Sequence, residues 1–156
     1  MKKIIVISLF FLMLQNCGYT PLYSLKQKNN FSIESANVIS EDRSLKIFFD
    51  RNFRKYKLTE NDDIQNYKVL TYINYSKDPT SKDTTGNTVE YKLSIDVRFE
   101  ISSEKINEMF QVKQSFIMKN FSDKFEEREY ENDIKNSMAT TILSQFITRL
   151  SQFNVD

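Results

Sequence analysis

Cys17 is the only thiol in the chain, and histidine is absent altogether. Those two facts remove the Cys–His and Ser–His nucleophile arrangements, the usual general base near neutral pH, and most transition-metal ligand sets. No metal site and no cofactor are expected. A disulfide within one chain is excluded as well, because no second thiol exists. Carboxylates alone can still do acid and base work, and the pair most open to that reading is Glu90 and Asp96, on one face of an alternating stretch. Six residues of strand separate them by ~20 Å, against the ~5 to 10 Å of a glycosidase pair. A periplasmic hydrolase built on them is disfavoured, and the chain is read as a non-enzyme.

The neighbours of Cys17 say what its thiol is for. Met1-Lys2-Lys3 precedes an apolar run from Ile4 to Leu14, interrupted only by Ser8, and Gln15-Asn16 follows. That charged, apolar, then polar order is the order of a secretory signal. Eleven helical residues reach ~16 Å, about half of the ~30 Å hydrocarbon core, so the run is a poor permanent span. Leu14-Gln15-Asn16-Cys17 resembles a bacterial lipobox. The resemblance implies a diacylglycerol on the thiol and a cut just before it: residues 1–16 are then a signal peptide and Cys17 is the lipid-modified start of the mature protein. The competing reading is a lone structural cysteine behind an ordinary signal peptide. Two or three acyl chains at ~0.8 kcal/mol per buried CH₂ make an anchor that hardly dissociates, whereas one chain is marginal. Gly18, standing where an Asp favours inner-membrane retention in many enteric-type bacteria, points to the outer membrane.

Of the 156 residues, those after position 16 suffice for one domain with a real core and are too few for two. Once Lys2 and Lys3 are removed, basic and acidic residues nearly cancel, which leaves no electrostatic footprint for nucleic acid. Residues 17–30 read as a lipid-anchored tether and 31–156 as a single α+β domain. Phe31 to Ile39 predicts a first strand, and Ser40, with Glu41 and Asp42 behind it, predicts a helix N-cap with acidic residues in the first turn. Leu45, Phe48, Phe49, Asn52, Phe53 and Tyr56 then recur at helical spacing, down to the basic cluster Arg54, Lys55 and Lys57. Tyr67 to Tyr75 alternates as a second strand. Ser76 to Asn87, with Pro79 and Gly86, is expected to be a mobile polar loop. Val89, Tyr91, Leu93, Ile95, Val97, Phe99 and Ile101 alternate strictly with polar residues, the mark of a long strand with one dry face. A turn at 102–105 and a fourth strand through Phe110, Val112, Phe116 and Met118 follow. Asp123 with Glu126 resembles a capping pair, and it opens a long helix whose stripe is Ile134, Met138, Ile142, Phe146 and Leu150. The order β-α-β-β-β-α predicts a two-layer α+β sandwich: a four-stranded, mostly antiparallel sheet with two helices packed on one face.

Four features taken together resemble the LPS-assembly lipoprotein family (LptE). They are Cys17-Gly18-Tyr19-Thr20-Pro21-Leu22-Tyr23 directly after the signal, Thr85-Gly86-Asn87-Thr88-Val89-Glu90-Tyr91-Lys92-Leu93 opening the long strand, the order of elements, and the closing stretch Ile142 to Leu150. The resemblance spans essentially the whole mature chain. It implies a plug and assembly factor, lipid-anchored at the outer membrane and facing the periplasm and a barrel lumen. Its partners would be an LptD-like outer-membrane β-barrel and lipopolysaccharide. Members of the family are thought to meet lipid A phosphates through basic side chains, and the match to the Glu-Tyr-basic motif points to Lys92. Arg98, six residues on along the same strand face, is added from geometry. The competing reading makes both of them solvated surface charges. A second functional reading is a lipid-transport accessory lipoprotein of another envelope system, holding a lipid tail against apolar strand faces.

Overall fold

The structure, a computed structural model, describes residues 31–57 and 65–153. Cys17 and the segments expected to be signal peptide and tether lie outside the described residues. The elements in chain order are β1 (Phe31–Ser40), α1 (Arg43–Phe53) with a 3₁₀ turn at Arg54–Tyr56, β2 (Gln65–Lys82), β3 (Thr88–Ser102), β4 (Asn107–Lys119) and α2 (Lys124–Gln152). The sheet order is β1-β2-β3-β4. β1 and β2 are parallel, the other two pairs antiparallel. A parallel pair needs a crossover connection, which α1 supplies, and two antiparallel pairs need only hairpins. This is the two-layer α+β sandwich that the order of elements predicts.

Period two decides which side chains enter the core. Tyr67, Val69, Thr71 and Ile73 of β2 face the helices together with Ile101, Phe99, Val97 and Ile95 of β3, and all are buried. The helices answer with Leu45, Phe49 and Phe53 from α1 and with Ile134, Met138, Ala139, Ile142, Phe146 and Leu150 from α2. Phe99 joins the layers: its ring centroid lies 4.6 Å from Phe146, 5.2 Å from Phe110 and 6.3 Å from Phe49. Each such ring, taken fully from water, contributes roughly 1.5 to 3 kcal/mol.

Two local expectations are corrected. The cap of α1 is Asp42 rather than Ser40: its Oδ1 accepts from the backbone N–H groups of Ser44 (2.9 Å) and Leu45 (3.0 Å). Ser40 instead ends β1, opposite Ile73, and no acidic side chain stands in the first turn of α1. The second correction concerns 76–87. Residues 76–82 continue β2 and pair with 88–94 of β3, with irregularities around Ser81. Only 83–87 form the turn. The alternation of Tyr67 to Tyr75 simply runs on, placing Lys77 on the inward face opposite Leu93. Asp83 closes the turn by accepting from the N–H groups of Thr85 (2.8 Å) and Asn87 (2.9 Å), and Gly86 takes φ +89°. The expected cap of α2 is present: the Asp123 carboxylate accepts from the N–H groups of Phe125 and Glu126.

Candidate partner-binding and anion-binding face

Both helices cover the same side of the sheet, so the odd-numbered side chains of β3 go to the core and the even-numbered ones to the open side. Glu90, Lys92, Ser94, Asp96, Arg98 and Glu100 form the midline of that open face. Lys92 is exposed and stands between Asp78 of β2 and Ile117 of β4. Arg98 lies over the Tyr72 ring, 4.4 Å from guanidinium carbon to centroid, with its Nε 3.5 Å from Glu100 Oε1. The two cations share a face, as the alternation requires, but strand rise keeps them ~20 Å apart. They do not form one anion pocket; each can meet a separate phosphate. Glu90 and Asp96 are equally far from each other. Glu90 stands opposite Lys119, and the Asp96 carboxylate accepts from the Gln111 side-chain amide. The face is not uniformly polar: Ile39 is 47% exposed, Ile117 50% and Met109 63%.

A second cluster, on the helix side, escaped the sequence reading. Lys77 Nζ donates to Glu127 Oε1 (2.7 Å) and Glu131 Oε2 (2.8 Å), and the Tyr75 hydroxyl donates to Glu131 Oε1 (2.6 Å). Lys124 completes Glu127, while Lys135 pairs with Asp42 at 3.0 Å. Three ammonium groups thus meet three carboxylates where β2, α1 and α2 come together. Burial penalises the charges of Glu131 and Asp42, yet the hydrogen bonds and the opposite charges outweigh it and hold both carboxyls below their usual range. Glu127 is lowered by its bonds from Lys124 and Lys77. Burial disfavours the Lys77 ammonium, but Glu127 and Glu131 reverse the balance and raise its pKa. Tyr75 is pushed up by burial and by its bond to Glu131, so it stays a protonated donor. The available signal was Lys77 itself, which keeps the period-two beat of Tyr67 to Tyr75 two residues beyond the last apolar side chain.

The chain thus belongs to the class of small α+β sandwiches whose sheet has one helix-covered face and one open face. Its fold is shared with solved bacterial lipoproteins. The rare lipoprotein B of Shewanella oneidensis aligns with a TM-score of 0.55 at 18% identity, over 78% of this chain and 98% of the other. Lipoprotein B of Nitrosomonas europaea aligns with a TM-score of 0.55 at 11% identity, over 83% and 90%. A minor lipoprotein of Acinetobacter baumannii gives 0.50 at 13% identity, over 78% and 90%. No protein-family model matches the sequence, and neither does any curated protein.

Proposed function

We propose that this chain is a lipid-anchored envelope protein of the outer membrane that works by holding a larger partner: the plug of an outer-membrane β-barrel that assembles lipopolysaccharide. The observation that carries the reading is the open sheet face, a long mixed surface on a fold whose solved relatives are lipoproteins. A barrel lumen is lined by polar side chains and must be met by hydrogen-bonding groups, which that face supplies along the whole length of β3. Lys92 and Arg98, spaced too far apart to share one anion, suit successive lipid phosphates passing along the face. Cys17, by its resemblance to a lipobox cysteine, provides the anchor. Charged residues dispersed along a strand, without converging acid and base, fit a binding role better than a catalytic one.

The test is a pull-down of the tagged chain from solubilised envelopes. A large outer-membrane β-barrel should come with it in near-equal amount. Recovery of inner-membrane transporter subunits alone would replace this reading with that of a lipid-transport accessory lipoprotein.

A further inference from the structure

β4 is an outer strand, paired with β3 alone among the described residues. Which of its backbone groups are free follows from one hydrogen bond. Asn120 N donates to Val89 O at 2.8 Å, so Asn120 and Val89 exchange bonds across the ladder, and every second residue of β4 does likewise without a register shift. Even-numbered residues from Glu108 to Met118 therefore spend their N–H and C=O on β3. Met109, Gln111, Lys113, Ser115, Ile117 and Lys119 turn theirs to the open edge, a template for one more strand.

Beside this edge runs a groove of about 400 Å³ between β4 and the last turns of α2. Its floor is Phe110 and Val112; Ser144, Gln145, Thr148 and Arg149 form its far wall. Arg149 is the one ionised side chain in it. Its guanidinium carbon lies 5.2 Å from the centroid of Phe110, and no carboxylate of the described residues pairs with it. We propose that this edge and groove bind an extended segment of the partner protein by strand addition to β4, with an acidic side chain of that segment on Arg149. The inference rests on the barrel-partner reading and narrows it. Every strand in the wall of a closed barrel already has both edges paired, so the segment must come from a part of the partner outside the wall, a tail or a loop.

Other occupants fit less well. The chain segments before Phe31 and between Lys57 and Gln65 join the fold at the far side of the sheet, at β1 and at the start of β2. A second copy paired about the middle of β4 would bring Lys113 against or beside its own counterpart, and a lysine on an edge is a common guard against self-pairing.

The test compares the full-length chain with two variants in the pull-down described above. Ser115→Pro removes an outward N–H and leaves the β3 ladder whole, as proline does on edge strands; Arg149→Glu reverses the groove charge. Each should recover at least tenfold less barrel while keeping the wild-type melting curve. Amide exchange at Gln111, Lys113 and Ser115 should slow at least tenfold in the purified complex. A photo-crosslinker at Gln111 should label a segment of the barrel protein outside its transmembrane strands. Equal recovery by both variants, unchanged exchange, or crosslinks to a second copy of this chain would overturn the strand-addition inference and leave the barrel reading standing. A wild-type chain that recovers no barrel removes both. If Ser115→Pro does not fold, Arg149→Glu and the exchange measurement decide.

Discussion

Lys77 donates to two carboxylates on α2 from a strand position that otherwise takes apolar residues, and its ammonium also lies 4.6 Å from the centroid of Tyr91. Removing it leaves Glu127, which is buried, with Lys124 as its one cation, and Glu131, which is largely buried, with the Tyr75 hydroxyl as its one hydrogen-bond donor. Because each carboxylate keeps one partner, the cost is that of lost buried hydrogen bonds rather than of an uncompensated charge, about 1 to 3 kcal/mol, so Lys77→Met should lower unfolding stability in urea by about that amount despite the added apolar surface. The pH dependence has a definite sign. Asp42, Glu127 and Glu131 are held below their unfolded values, so their contribution is complete above the ordinary carboxylate range near ~4 and is lost as pH falls through the lower folded values. Lys77 is raised, so its share is complete below ~10.4 and is lost above that. Melting temperature should therefore hold level between the two and drop at both ends, and the acid drop should be shallower in Lys77→Met. An equally steep acid limb in the variant would show that the cluster does not control it. Single residues along the sequence betrayed little of this, because a lysine and a glutamate fifty positions apart carry no mutual signal until a strand and a helix are packed.

Among the elements, the strands and helices themselves were legible, and their ends were not. β3 could be read from its alternation alone because seven large apolar residues at period two leave no helical solution. The β2–β3 hairpin reads as a loop from Ser76 onward in the sequence because Lys and Asp are poor strand formers and Pro79 and Gly86 read as breakers. The β3 backbone supplies the missing hydrogen bonds and overrides propensity. The turn that remains depends on Asp83 and on Gly86 at φ +89°. A Cβ at Gly86 would touch nothing within 4 Å, so the cost of Gly86→Ala is conformational only, roughly 1 to 2 kcal/mol for a left-handed non-glycine residue. We expect a loss of that size in the hairpin, read as faster amide exchange at Asp83, Gly86 and Asn87 with β4 and α2 unaffected. A global melt of the domain in that variant would mean that the turn holds more than itself. The cap of α1 was misplaced by two residues for a comparable reason. Ser40 and Asp42 are both good caps, and the choice falls to Asp42 because its second oxygen can also pair with Lys135 on α2.

For the whole molecule, anchor and domain are expected to be separable. Among the described residues no helix is long and apolar enough to cross a membrane, and the core faces of sheet and helices pack on each other. Cys17→Ala should accordingly release the protein into the soluble periplasm with its melting curve unchanged; unaltered membrane association would place the anchor elsewhere in the chain. Of the proposed site residues, Lys92 comes from the motif resemblance and Arg98 from strand parity with it; what the structure shows is that the two share the open face. The free edge of β4 and the Arg149 groove were not legible. The sequence by itself determined the elements and the buried face of each, since hydrophobic periodicity of 2 or 3.6 is a property of neighbouring residues. Only the tertiary structure decided the strand order, and with it which strand kept a bare edge, and which carboxylates found Lys77 and Lys135. Pairing partners are chosen by packing between segments far apart in the chain, and no local pattern encodes that choice.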